Sequence, residues 1–135
     1  AASDVYKRQR KQLTDQGFSE LKSVHDVDEM ISNEGTTLVV VNSVCGCAAA
    51  NARPGAITSL INDKKPDHLT TAFAGVDRDA VEKVRYYLAP FPPSSPAIAL
   101  FKNGELVHML ERHHIEGRSA EMISQNLKGA YNEHC

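Results

Sequence analysis

Cys45 and Cys47, separated only by Gly46, are the residues of this 135-residue chain whose types and spacing best suit chemistry. A thiolate is the attacking species in thiol–disulfide exchange, and it also binds soft metal ions. Bridged cysteines prefer Cα atoms about 5.5–6 Å apart, so a disulfide across one residue is tight and readily reduced. Gly46 eases that closure because it has no Cβ and adopts positive φ readily. The spacing therefore favours an exchange catalyst over a stable cross-link.

Metal binding is the alternative chemistry for the same two thiols. A closed zinc site needs four ligands, and Cys45 and Cys47 supply only two of them. The third cysteine, Cys135, is the last residue of the sequence, and no pair of histidines has zinc-finger spacing. We assign no metal ligand, but a metal or iron–sulfur carrier that uses these cysteines together with Cys135 stays open as an alternative.

The elements on either side of the cysteines place them at a strand-to-helix turn. The β-branched run at residues 37–41 is typical of a strand buried on both faces of a sheet. A helix follows from Ala48 toward Ile61, with a kink expected just ahead of Pro54 because proline has no N–H to donate. A thiol at such a turn faces unpaired N–H groups and the positive end of the helix dipole, which lower its pKa. We therefore predict that Cys45 is the nucleophile and that the second cysteine lies in the first helical turn.

Apolar periodicity and turn residues predict further elements, in which helices and strands alternate. They are helix 5–16, strand 19–23, helix 27–32 capped by Asp26, strand 69–73, helix 77–88, strands 97–101 and 106–110 around Asn103–Gly104, and helix 119–131 with Met122, Ile123 and Leu127 on its apolar face. Such a pattern predicts an α/β fold with a mixed central sheet flanked by helices, a C-terminal β-hairpin and a closing helix. We expect a single domain over residues 1–135, of which residues 1–12 form an atypical or partly disordered start.

The composition excludes several classes of partner. The chain is 41% hydrophobic and 24% charged, with a net charge of −2, whereas nucleic-acid binding needs clustered Lys and Arg on a basic domain. We interpret the densest basic run, residues 7–11, as a solvated helix face. No apolar run approaches the roughly 20 residues of a membrane helix, and residues 1–9 contain no apolar signal-peptide core. We expect a cytoplasmic protein that binds neither nucleic acid nor membranes.

The cysteine motif and several separate motifs resemble those of a known family. Residues 36–49 (TTLVVVNSVCGCAA), followed by residues 52–54 (ARP), resemble the signature of the bacilliredoxins. These are thioredoxin-like proteins of low-GC Gram-positive bacteria and some relatives. Further matches follow in the same order, at residues 73–75, 94–96, 112–113, 115–117 and 134–135. The resemblance covers roughly residues 13–135, and His114 departs from it because an acidic residue is expected there.

The resemblance implies a thioredoxin-like fold and the removal of bacillithiol from protein mixed disulfides. Cys45 would attack the mixed disulfide and accept bacillithiol. A second bacillithiol would free Cys45 as bacillithiol disulfide, which a flavin-dependent reductase recycles, or Cys47 would resolve it through an internal disulfide. No cofactor is expected to be bound, and bacillithiol is a co-substrate. A general disulfide isomerase or reductase activity is also implied by relatives.

The resemblance also assigns residues outside the cysteine pair. Pro96 would match the cis-proline of thioredoxin folds, which lies beside the cysteines and binds extended substrate backbone. Together with the Ser-Ser-Pro loop ahead of a hairpin strand, this predicts a cis peptide between Ser95 and Pro96, although only about 5–6% of X–Pro bonds are cis. Gly46, Ser95 and Pro96 are the predicted substrate contacts. His113 and Cys135 are candidate auxiliary residues, and a spectator thiol is the simpler interpretation of a terminal Cys135.

Overall fold

The fold is built on a five-stranded mixed sheet in the computed structural model, which describes residues 2–135. Its strands are β1 (Ser19–Glu20), β2 (Thr36–Asn42), β3 (His68–Phe73), β4 (Ala97–Lys102) and β5 (Glu105–Leu110). The spatial order is β1–β3–β2–β4–β5, with β1 and β2 parallel to β3 and the hairpin β4–β5 added antiparallel to β2. All seven residues of the central β2 are buried, as its β-branched sequence predicts.

Helices cover both faces of this sheet. They are α1 (Ala2–Thr14), α2 (Val24–Ile31), α3 (Arg53–Ser59), α4 (Arg78–Leu88), α5 (Arg112–Ile115) and α6 (Ala120–His134). Because side chains alternate along a strand, Leu38 and Val40 pack on one face in a cluster with residues of α1, α3 and α6. Val39 and Val41 pack on the other face in a cluster with residues of α2 and α4. The predicted α/β architecture with its closing helix is confirmed. Among the helices of residues 2–135, none combines the length and apolar character that crossing a membrane requires.

The N-terminal segment differs from the atypical or partly disordered start expected for residues 1–12. Residue 1 lies outside the described residues, and α1 begins at Ala2. Burial and ion pairs are among the interactions that hold this helix on the domain. Leu13 is fully buried in the core, and Arg10 pairs with Glu20 at 2.9 Å and with Asp77 at 2.8 Å.

Helix α2 begins three residues earlier than expected, because Ser23 and not Asp26 caps it. The Ser23 hydroxyl accepts a hydrogen bond from the backbone N–H of Asp26 at 3.1 Å. The Asp26 carboxylate in turn accepts the backbone N–H of Lys22 at 2.9 Å. A serine cap followed by an acidic residue three positions later satisfies N–H groups at the helix start reciprocally.

The apolar face of α6 also differs in one position. Ile123 and Leu127 are buried, but Met122 is 53% exposed. Ser119 caps the helix by accepting the backbone N–H of Met122 at 3.1 Å, which places Met122 in the first turn, on the side away from the core.

Gly55 allows α3 to approach α6 closely. A Cβ on Gly55 would lie 2.7 Å from Cγ2 of Ile123 and 3.1 Å from the carbonyl oxygen of Ala120. Neither distance leaves room for a methyl group in a close-packed interior. The packing of the helix that follows the cysteines therefore depends on a glycine.

We expect Gly55→Ala to lower the free energy of unfolding by about 1–3 kcal/mol, because overpacking displaces the neighbouring helix. Gly129→Ala is the matched control, since Gly129 is an exposed residue of α6 with nothing within 4 Å of its Cβ position. That control should raise the free energy by up to about 1 kcal/mol through helix propensity. Urea denaturation measures both, and equal effects of the two substitutions would contradict the close approach.

Candidate active site

Strand register brings the cysteine motif and the proline loop to one edge of the sheet. Asn42, the last residue of β2, pairs with Phe73 at the end of β3, and Val41 pairs with Ala97 at the start of β4. The segment that follows β2 and the segment that precedes β4 therefore leave the sheet at the same edge. Ligand sites of open α/β sheets gather at the carboxyl ends of the parallel strands, and this edge is such a location.

The two thiols of the motif lie against each other. The Sγ atoms of Cys45 and Cys47 are 2.7 Å apart, and both residues are free and half-buried. Since a disulfide bond is about 2.05 Å long, the thiols need only a short approach to form one. Gly46 between them is exposed, with nothing within 4 Å of its Cβ position. The motif therefore presents two neighbouring sulfurs with little covering them.

The surroundings of Cys45 favour its thiolate. Burial raises the pKa of Cys45, but hydrogen bonds from the Cys47 thiol, the backbone N–H of Ala48, the Ser43 hydroxyl and the Cys47 backbone outweigh it and lower the pKa. These N–H groups belong to the turn that begins the helix, where the Cys45 carbonyl also accepts the N–H of Ala48 at 3.1 Å. This is the physical effect expected at a strand-to-helix turn.

Cys47 has the opposite tendency. Burial and the hydrogen bond and charge of Cys45 raise its pKa, and only Arg112 opposes them appreciably. The two thiols therefore differ, and Cys45 is the one that loses its proton first. That Cys45 is the nucleophile stays a prediction, and this order of deprotonation is the one that it requires.

The helix after the cysteines is irregular, as the position of Pro54 predicts. Residues Ala48–Ala52 form a π-helical turn, and α3 begins at Arg53 with Pro54 in its first turn. A first helical turn does not need the missing N–H of a proline. The widened turn thus separates the cysteines from the regular part of the helix.

Arg53 joins the cysteine turn to the N-terminal helix, a role that the sequence interpretation missed. It is 2% exposed, and its guanidinium donates to the side chains of Gln12 and Asn42 at 2.8 Å each and to the Ser43 carbonyl at 2.9 Å. One feature of the sequence could have indicated this role. Arg53 is a charged residue directly before Pro54, inside the helix that is predicted to follow the cysteines. Nothing in the sequence indicates its distant partner Gln12.

The proline loop precedes β4 at the edge of the sheet where the cysteine turn lies. The Ser95–Pro96 peptide is cis, which confirms the prediction, and Pro96 is buried while Ser95 is half-buried. Arg112 holds the loop, because its backbone N–H donates to the Ser94 hydroxyl at 3.3 Å and its Nη1 donates to the Ser95 carbonyl at 3.1 Å. A second cis peptide, between Ala89 and Pro90, was not expected. Arg112 thus links the proline loop to the charges around Cys47.

His113 has an exposed side chain, at 68% exposure, and its contacts are with neighbours in sequence. Its Nε2 lies 3.8 Å from the Glu111 carboxylate, and its ring lies 4.0 Å from that of His114. Neither contact joins His113 to the cysteines. Cys135 is exposed at the end of α6, where its backbone N–H donates to the Tyr131 carbonyl at 2.8 Å.

Candidate metal ligands outside the cysteine pair also come together in the fold. In the described part of the chain, the group of three candidate ligands whose atoms lie within 4.8 Å of one another is Glu111, His113 and His114, which contains no cysteine. His114 Nδ1 already accepts the backbone N–H of Glu111 at 3.0 Å. A neutral imidazole in this state carries its proton on Nε2 and has no free lone pair for a metal.

Comparisons with known proteins cover nearly the whole chain. The family model described as disulphide isomerase matches residues 2–135, which include α1. A bacilliredoxin from Halalkalibacterium halodurans is 57% identical over 97% of this chain and 92% of its own length. Bacilliredoxins from Cytophaga hutchinsonii and Shouchella clausii are 56% and 51% identical, over 92% and 99% of this chain and 92% and 97% of their own lengths.

Solved structures show the same fold at low sequence identity. The oxidised thioredoxin of Plasmodium falciparum has a TM-score of 0.59 and 19% identity, over 85% of this chain and 98% of its own. Oxidised mitochondrial thioredoxin 3 of Saccharomyces cerevisiae has a TM-score of 0.57 and 14% identity, over 86% of this chain and 94% of its own. These likenesses establish a thioredoxin-like fold.

We expect iodoacetamide to alkylate Cys45 faster than Cys47 at about pH 6, since the thiolate is the reacting form and the pKa of Cys45 is the lower one. Peptide mapping by mass spectrometry measures both rates. Cys47→Ala should move the half-maximal rate at Cys45 to higher pH because it removes a hydrogen-bond donor, while Cys47→Ser keeps a donor and should move it less. Faster labelling of Cys47 would reverse the assignment of the nucleophile.

Proposed function

The chain belongs to the bacilliredoxin family of thiol–disulfide redox proteins, and we propose that it removes bacillithiol from S-bacillithiolated proteins at Cys45. The observation that carries the proposal is the asymmetry of the thiol pair. Cys45 has a lowered pKa and lies 2.7 Å from Cys47, whose pKa is raised. One thiol is thereby ready to attack, while its neighbour keeps a proton.

The first step exchanges one disulfide for another. The Cys45 thiolate attacks the bacillithiol sulfur of the mixed disulfide, and the client protein leaves as a thiolate that takes a proton from water. One S–S bond breaks and one forms, so no external oxidant or reductant takes part. Cys45 then carries bacillithiol.

The second step frees Cys45, and two thiols are available for it. A second bacillithiol can attack as a thiolate, which regenerates the Cys45 thiolate and releases bacillithiol disulfide for a flavin-dependent reductase. Alternatively, Cys47 attacks Cys45 and expels bacillithiol as the internal disulfide forms. Formation of the mixed disulfide itself prepares Cys47, because the Cys45 charge and hydrogen bond that raise the pKa of Cys47 disappear. Arg112 then lowers this pKa against burial and the charge of Glu116.

Substrate binding is proposed at the open side of the thiol pair. Gly46 leaves space beside the sulfurs, and Ser95 and Pro96 lie on the loop that leaves the same edge of the sheet. We propose that these residues contact the extended backbone of the client protein. Bacillithiol is a co-substrate in this scheme and no bound cofactor is required. A supply of free thiol implies a reducing compartment, so the proposal sets the reaction in the cytoplasm.

A general disulfide isomerase or reductase activity is the second candidate. The description of the matching family model as disulphide isomerase favours it, as do two thiols close enough to form an internal disulfide. The two functions differ in their need for Cys47. Release of bacillithiol can proceed with Cys45 and free bacillithiol, whereas reduction of a client's own disulfide needs the second thiol.

We expect Cys45→Ser to abolish bacillithiol release from a bacillithiolated client, because no attacking sulfur remains at the turn. Cys47→Ser should retain release when free bacillithiol is supplied, and it should lose reduction of protein disulfides. Cys135→Ser is the matched control, since Cys135 is exposed at the end of α6. Initial rates on one client decide the matter.

A loss of more than about tenfold in the control, about 1.4 kcal/mol in the barrier, would place Cys135 in the mechanism. Activity of Cys45→Ser within tenfold of the native rate would overturn the proposed function.

A further inference from the structure

Arg53 is a buried cation whose hydrogen-bond acceptors are all neutral. Its residue is 2% exposed. The acceptors are the side-chain amide oxygens of Gln12 and Asn42 and the backbone carbonyl of Ser43, at 2.8, 2.8 and 2.9 Å. A guanidinium stays charged in proteins, and a buried charge without an opposite charge is costly. An arginine with a purely structural role could be paired with a carboxylate. None of the three hydrogen-bond acceptors of Arg53 is one.

The hydrogen bonds fix this cation beside the cysteine turn. Asn42 Oδ1 accepts both Arg53 Nη1 and the backbone N–H of Ser43, each at 2.8 Å. Ser43 in turn offers its carbonyl to Arg53 and its hydroxyl to the backbone N–H of Cys45, at 3.3 Å. Arg53 therefore binds the chain two residues before Cys45. These short hydrogen bonds fix the position of Arg53 relative to Cys45.

The hydrogen-bonded turn places Cys45, whose thiol can become an anion, two residues after the Ser43 carbonyl that Arg53 binds. Burial lowers the pKa of Arg53, and the charge of Cys45 is the influence that raises it. The other nearby guanidinium, Arg112, is arranged differently, because its side chain is 45% exposed and already pairs with Glu116. Water and that carboxylate screen Arg112, whereas neither screens Arg53 to the same degree.

We propose that Arg53 is the positioning residue of this site, whose buried and acid-free guanidinium shapes the turn at residues 42–45 and serves as the fixed counter-charge of the Cys45 thiolate. This inference rests on Cys45 being the attacking sulfur in the proposed function. It has a consequence for turnover, since a Cys45 held in a disulfide leaves the cation without an anion. Arg53 therefore favours release of the disulfide from Cys45 and return of the thiolate.

The test neutralises Arg53 without removing it. Gln12→Glu keeps an acceptor oxygen on the Arg53 Nε and adds the missing carboxylate. A charge-assisted bond is stronger than a neutral one, so a purely structural arginine would give a protein of equal or greater stability with unchanged Cys45 reactivity. If Arg53 is the counter-charge of Cys45, the pH of half-maximal alkylation at Cys45 should rise by about one unit. Gln16→Glu is the matched control, because it adds the same charge at an exposed position just after α1.

A second pair of variants separates charge from shape. Arg53→Lys keeps the cation and should leave the alkylation midpoint within a few tenths of a unit, while Arg53→Gln removes the cation and should raise it by about one unit. Urea denaturation reports the structural loss in both. If the Arg53 variants do not fold, Gln12→Glu decides alone.

Unchanged midpoints in Gln12→Glu, or equal shifts in Arg53→Lys and Arg53→Gln, would overturn the inference. The alkylation readout needs no bacillithiol, so its result is independent of client turnover. Failure of the native protein to release bacillithiol would overturn the proposed function and leave these midpoints interpretable.

Discussion

Burial of the central strand β2 on both faces is the constraint on which the rest of the structure depends. Its seven residues are all buried, and their side chains divide between the two apolar clusters that hold the helices. A one-residue slip of this strand would exchange the two sets of side chains, so its register with β3 and β4 is strongly specified. That register determines which segments leave the sheet at the same edge. The cysteine turn and the proline loop both leave the sheet at that edge because β2 ends where β4 begins.

The chemistry of the site arises from two thiols in unequal surroundings. Helix-start N–H groups and the neighbouring thiol stabilise the thiolate of Cys45, while burial and the charge of Cys45 keep Cys47 protonated. Two guanidinium groups also belong to the site, one in the interior and one at the surface. Arg53 acts from the interior, where neutral acceptors leave its charge unpaired, and Arg112 acts from the surface, where Glu116 and water compensate it. In the proposed function, this asymmetry lets Cys45 begin the exchange and leaves Cys47 available to finish it.

Local signals in the sequence were reliable where a single element carries them. The Asn103–Gly104 turn, the buried run of β2, and the irregular helix ahead of Pro54 are all present as predicted. The predictions were wrong in the first turns of two helices, α2 and α6. Ser23 caps α2 in place of Asp26, because a serine at the cap and an acid three residues later satisfy more N–H groups than Asp26 could alone. Met122 is exposed because the orientation of α6 on the sheet, and not its apolar content, decides which side of its first turn is covered.

The sequence by itself determined the reactive residue types, their spacing, and their place between a buried strand and a helix, since these depend on contacts within a few residues. The resemblance of those motifs to the bacilliredoxins, which the comparisons support, follows from the same local pattern. The same local pattern predicted that Cys45 is the thiol with the lowered pKa. Only the tertiary structure decided which distant residues lie around the thiol pair. Arg53 reaches an amide 41 residues earlier in the chain, and Arg112 reaches a carbonyl 17 residues earlier. Such partners depend on how α1, α3 and α5 pack around the sheet. Electrostatic effects on a thiol depend on distances and burial in the folded protein, and the spacing of residues along the chain does not determine either of them.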